Sequence, residues 1–113
     1  MRLELNVQSD RMTDVVLTLS QEERTGLVKK LSGLEGMDEV RIEDSGITVF
    51  FKLRAGDSRV LIAKPEPNEW VVTVGLESHY MKIFIEKLEQ SQGFKLASFC
   101  PVNRVSNASL TLS

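Results

Sequence analysis

The chain has 113 residues, of which 42% are apolar and 27% charged, with a formal net charge of −2. This is the size and make-up of one globular domain, 1–113, which can bury roughly two-thirds of its unfolded surface without disulfide or metal staples. The slight acidity removes the global attraction for phosphates on which general nucleic-acid binding rests. The single cysteine, Cys100, rules out an internal disulfide, and no apolar run reaches signal-peptide or membrane-span length. A cytoplasmic protein without membrane attachment is therefore expected.

Residues 2–8 alternate Leu3, Leu5 and Val7 with polar neighbours, the period of a half-buried strand. After a polar turn over 9–13, residues 14–19 alternate again through Val15, Leu17 and Leu19. Ser20 and Glu23 then have capping-box spacing, so a helix is predicted from there to about Ser32, with Leu27, Val28, Leu31 and Leu34 as its apolar stripe. Gly33 or Gly36 is expected to end it in the left-handed conformation. Val40 and Ile42 mark the next strand, and Asp44-Ser45-Gly46 the turn after it. Ile47, Val49, Phe51 and Leu53 mark another strand, and Ala55-Gly56-Asp57 turns again. Val60 and Ile62 begin a strand that Pro65 to Asn68 closes, and Trp70 to Gly75 forms its successor. A second helix is predicted over about 78–91, capped by Ser78 and stopped by Gly93. Its apolar face holds Tyr80, Met81, Ile83, Phe84, Ile85 and Leu88. Phe94 to Phe99 reads as a strand. Beyond Pro101, residues 101–113 admit either a docked strand over Ala108–Leu112 or a loose tail.

The order strand-strand-helix-strand-strand thus occurs twice. A shift of 57 residues sets Leu3 on Val60, Val15 on Val72, Leu17 on Val74, Leu27 on Phe84 and Leu31 on Leu88. This suggests a ββαββ pseudo-duplication with halves 1–56 and 57–113, although any two strand-helix-strand runs align in a similar way. The expected fold is α+β: a mainly antiparallel sheet of seven or eight strands with two helices on one face. Shifted by one strand, the repeat resembles in element order the paired modules of the vicinal oxygen chelate group, the glyoxalases and bleomycin-resistance proteins. That resemblance implies sheets curled around a cleft for a metal or small ligand. The enzymes of that group would call for a His/Glu metal set, which the one histidine here does not readily supply.

With the helices on one side, the other set of each alternation must face solvent, a partner or a ligand. Arg41, Thr48, Phe50, Lys52, Arg54, Arg59, Leu61, Ala63, Val71 and Thr73 make up that set. Phe50, Leu61 and Val71 are apolar contacts, and Lys52, Arg54 and Arg59 an electropositive rim. Strands 58–64 and 70–75 look buried on both faces, as central strands would be. No motif for catalysis, metal or nucleotide binding is present. His79 and Cys100 could form a nucleophilic pair only if they met, and the acids Glu35, Asp38, Glu39, Glu43 and Asp44 match no calcium loop. Glu66 and Glu69 sit at a proline-bounded turn, a poor setting for acid–base work. No cofactor is expected. The residues point first to a small protein-interaction module (an adaptor, regulator or inhibitor) acting through the mixed face, with a homodimer as the simplest version. The alternatives are a small-molecule pocket around Phe50, Leu61 and Trp70, or an enzyme of unknown class.

Overall fold

The computed structural model describes residues 1–9, 12–36, 38–98 and 107–113. Eight strands and two helices follow in the order β1 (Arg2–Ser9), β2 (Met12–Thr18), α1 (Gln21–Ser32), β3 (Glu39–Asp44), β4 (Ile47–Leu53), β5 (Arg59–Glu66), β6 (Glu69–Leu76), α2 (Ser78–Glu89), β7 (Phe94–Ser98) and β8 (Asn107–Leu112). The fold is α+β, as the alternating patterns imply. The strands do not join into one sheet of seven or eight. They form two four-stranded sheets, a terminal sheet in the order β1-β2-β8-β7 and a middle sheet in the order β3-β4-β6-β5.

The reason is long-range pairing that periodicity does not encode. Each hairpin is antiparallel, but the hairpins are joined in pairs by parallel ladders, Val15 to Leu110 in the terminal sheet and Val49 to Val72 in the middle one. Each sheet therefore takes one hairpin from each half of the chain. Exchanging the halves converts the order β1-β2-β8-β7 into β5-β6-β4-β3, which is the middle sheet. The pairs Leu3–Leu17 and Val60–Val74 keep the 57-residue shift, as do the N-caps Ser20 and Glu77. In the second hairpins the shift changes: Phe51 faces Val74 as Leu112 faces Leu17, and Val40 faces Phe51 as Phe94 faces Leu112. The link from β7 to β8 is longer than the Ser45-Gly46 turn from β3 to β4, so a single sliding offset loses the correspondence there.

The paired-module resemblance stops at element order, because neither sheet is built from one half alone. The strand expected at Ala108–Leu112 is present, and it is an interior strand of the terminal sheet.

One buried cluster unites both sheets and both helices. Val15, Leu17, Leu110 and Leu112 enter it from the terminal sheet; Val49, Phe51, Val72 and Val74 from the middle sheet; Leu27, Leu31, Met81, Phe84 and Leu88 from the helices. Phe84 spans the junction. Its ring stacks on Phe51 of β4 at 5.4 Å between centroids and meets Phe94 of β7 edge-on at 5.2 Å. Such aromatic pairs contribute about 0.5–1.5 kcal/mol each beyond their buried area.

The capping box at Ser20 and Glu23 forms as the spacing predicts: the Glu23 amide donates to the Ser20 hydroxyl and the Ser20 amide to the Glu23 carboxylate. The amino group of Met1 lies against the same carboxylate, and these contacts hold its pKa down to about 2, the amino group contributing most. The second helix departs from expectation. Its N-cap is Glu77 rather than Ser78, and the Glu77 amide donates to the Ser58 hydroxyl. It ends at Glu89 with Ser91 at φ 55°. Gly93 serves another purpose, since a Cβ there would lie 3.1 Å from the Leu112 carbonyl oxygen of the neighbouring strand. Gly33 caps α1 at φ −94°, outside the left-handed region.

Arg24 locks the helices to the terminal sheet. Only 6% of it is exposed. Its guanidinium donates to the carbonyls of Lys87 and Gln92, at 3.2 Å each, and to the Ser113 backbone oxygen at 2.7 Å. The first turn of α1 is thereby tied to the last turn of α2, where the helix dipole is negative.

Candidate interaction surface on the middle sheet

Alternation along β3, β4, β6 and β5 sends one set of side chains into the core and the other outward. The ladders arrange the outward set in rows. One row across the sheet is Glu39, Lys52, Gly75, Arg59; the next is Arg41, Phe50, Thr73, Leu61; the third is Glu43, Thr48, Val71, Ala63. The outward residues expected from the sequence therefore do share this face, and Phe50, Lys52, Arg59, Leu61 and Val71 occupy it together.

Burial separates them. Leu61 is 45% exposed, Lys52 and Arg59 are exposed, and Phe50, Arg54 and Val71 are half-buried. The picture of β5 as a doubly buried central strand is corrected: it is an edge strand, which is why Leu61 reaches solvent. Its neighbour β6 is interior. The edge of β5 is itself blunted by Pro65 and by a register irregularity between Ala63 and Glu66, two features that discourage strand addition. The face, not the edge, is the available surface.

A groove of about 570 Å3 runs across the first row, lined among others by Glu39, Lys52, Arg54, Arg59, Leu61 and Thr73. Gly75 forms its floor. The Arg54 side chain lies over that glycine, with its Cδ 3.1 Å from where a Cβ would be. Arg54 Nε donates to the Asp57 carbonyl at 2.7 Å, which ties the guanidinium to the turn after β4. Among the described residues no carboxylate is close enough to form an ion pair with Lys52, Arg54 or Arg59. Glu39 stands across the ladder from Lys52 and is the one acid among the described lining residues. Arg41, in contrast, is satisfied by Glu43 at 2.6 Å.

The pocket expected around Phe50, Leu61 and Trp70 does not form. Trp70 shares strand parity with Val72 and Val74, so it belongs to the opposite face from Phe50 and Leu61. Lys64 sits 4.9 Å from the Trp70 ring centroid, and Trp70 borders a separate groove of about 400 Å3 with Arg41, Glu43 and Glu69. His79 is exposed and meets the edge of the Tyr80 ring, while Cys100 lies outside the described residues. Among the described residues no three His, Cys, Asp or Glu side chains gather as a metal site, and no helix is long and apolar enough to cross a membrane.

Gly75 is the site residue that reading the sequence for charge and apolarity passes over. A lone glycine inside Val72-Thr73-Val74-Gly75-Leu76 is nonetheless a signal of close approach within a strand. No family model matches the chain, and no curated protein or solved structure shows significant similarity to it.

Proposed function

We propose that the protein is an interaction module that docks a partner protein on the outer face of the middle sheet. The observation that carries this reading is the exposed Leu61 beside Phe50 and Val71, bordered by three cations that lack an ion-pair partner among the described residues. An apolar strip with a polar border is the usual make-up of a recognition surface. A second copy is the less favoured partner. A twofold axis along the Lys52–Arg59 row would set like charges against each other. A different protein of opposite charge meets no such penalty.

Selection of a displayed random peptide library against the immobilised chain tests the proposal. Enriched peptides are expected to perturb backbone amide resonances along β4, β5 and β6 and to lose binding to Leu61→Asp, a substitution the exposure of Leu61 allows without unfolding. Peptides that perturb the terminal sheet or the helices instead would refute it. Light scattering in parallel reports any self-association; a dimer abolished by Leu61→Asp would transfer the face to a second copy. The volume of the groove supports a small-molecule reading as well. It predicts thermal stabilisation by members of a compound library, with no peptide enriched.

A further inference from the structure

We infer that the partner segment is acidic, and that the groove over Gly75 seats a carboxylate of an extended chain while the neighbouring row takes an apolar side chain. The inference rests on the docking reading above and specifies its chemistry.

Three features of the groove support it. Lys52 and Arg59 stand in one row with a single strand between them, so their backbones are two strand spacings apart, about 9.6 Å. A carboxylate between them is within reach of both side chains. The residue between is Gly75, whose missing side chain makes room for the Arg54 side chain to lie between them. Arg54, packed over that glycine and held by the Asp57 carbonyl, adds a third cation to the lining. Among the described residues Glu39 is the one acid in the lining, so the groove is cationic although the chain as a whole carries −2.

The second row fixes the pattern. Phe50, Thr73 and Leu61 lie two residues along their strands from Lys52, Gly75 and Arg59, about 6.7 Å away. An extended peptide presents every second side chain on one face with this same spacing. A segment with an acidic residue and, two positions away, an apolar one therefore matches the cationic row and the apolar row together. Charge placed this way sets partner choice and association rate.

The test uses the full chain and fluorescent peptides: Ser-Glu-Ser-Leu-Ser, its lysine counterpart Ser-Lys-Ser-Leu-Ser, and the uncharged Ser-Ser-Ser-Leu-Ser. Binding is followed by anisotropy against salt and by amide shifts, with inorganic phosphate as competitor. The glutamate peptide is expected to bind at least tenfold more tightly than the lysine peptide, with an advantage that shrinks as salt rises. The double variant Lys52→Glu, Arg59→Glu should lose that tenfold preference or reverse it. Gly75→Ala, which asks only the flexible Arg54 to move, should stay folded and weaken the glutamate peptide severalfold. Equal binding of the glutamate and lysine peptides overturns the inference, as does a preference that survives the double variant. Displacement of the glutamate peptide by phosphate, with no contribution from leucine, reduces the site to an anion trap and also overturns it. If all three peptides shift β4, β5 and β6 equally, docking stands and the acidic specificity falls. Shifts elsewhere, or none with any peptide, count against the docking reading itself.

Discussion

Replacing Arg24 by methionine should cost about 3 kcal/mol of folding stability. Arg24 is 6% exposed, and its guanidinium donates to three backbone oxygens, those of Lys87, Gln92 and Ser113. A hydrogen bond from a charged donor contributes about 1.5–3 kcal/mol, so three added naively give several kcal/mol more than expected here. Two effects reduce the sum. Burying the charge is itself expensive, and the variant is relieved of that cost. The bonds also share one rigid group and are not independent. Methionine is the informative replacement because the 57-residue correspondence places Met81, itself buried, at the equivalent point of α2. An unbranched apolar side chain therefore suits the position sterically, and the loss reports the polar contacts. Urea denaturation followed by circular dichroism measures the difference, and Arg24→Lys, with its charge kept but its fork lost, should fall between the two. A methionine variant within about 1 kcal/mol of wild type would refute the view that this guanidinium clamps the helices to the terminal sheet.

Gly46→Ala should destabilise by about 2–4 kcal/mol, because φ is +79° and the new Cβ would lie 2.8 Å from the Asn68 carbonyl oxygen, which is backbone and does not yield easily; thermal denaturation checks it. Phe84→Ala should cost about 3–5 kcal/mol. A double-mutant cycle of Phe51→Leu with Phe84→Leu should give a coupling of about 0.5–1.5 kcal/mol for the stacked pair, read by chemical denaturation. Glu23, held at about pKa 2 against an ordinary 4.5, stabilises the folded chain above the ordinary value and loses that contribution as pH falls through its folded pKa. The stability gap between wild type and Glu23→Gln should accordingly be constant at neutral pH and shrink between pH 4.5 and about 2, as measured by denaturation at successive pH values.

Local chemistry made most elements readable in advance. Alternation located the strands, the Ser20–Glu23 spacing located the start of α1, and parity assigned Phe50, Lys52, Arg59, Leu61 and Val71 to one face. The errors arose where distant segments decide. Nothing near Val15 announces that Leu110 will pair with it, and without that ladder the strands seemed to belong to one sheet. The same blindness makes β5 read as a central strand, whereas the side of Trp70 is legible from parity alone, which sets it with Val72 and Val74 and opposite Val71. At Ser78 the local preference for a serine cap lost to the tertiary contact between Ser58 and the Glu77 amide. Gly75 was overlooked because a residue without a side chain gives no charge or apolar signal, although its effect is to make room for Arg54.

The interleaved sheets also impose an order on assembly. The middle sheet is continuous in sequence from Glu39 to Leu76, whereas the terminal sheet joins strands from opposite ends of the described chain. Closing the larger loop costs more entropy and comes later. During synthesis β1 and β2 leave the ribosome first and still wait longest, with one flank unpaired until β8 arrives to complete their ladder.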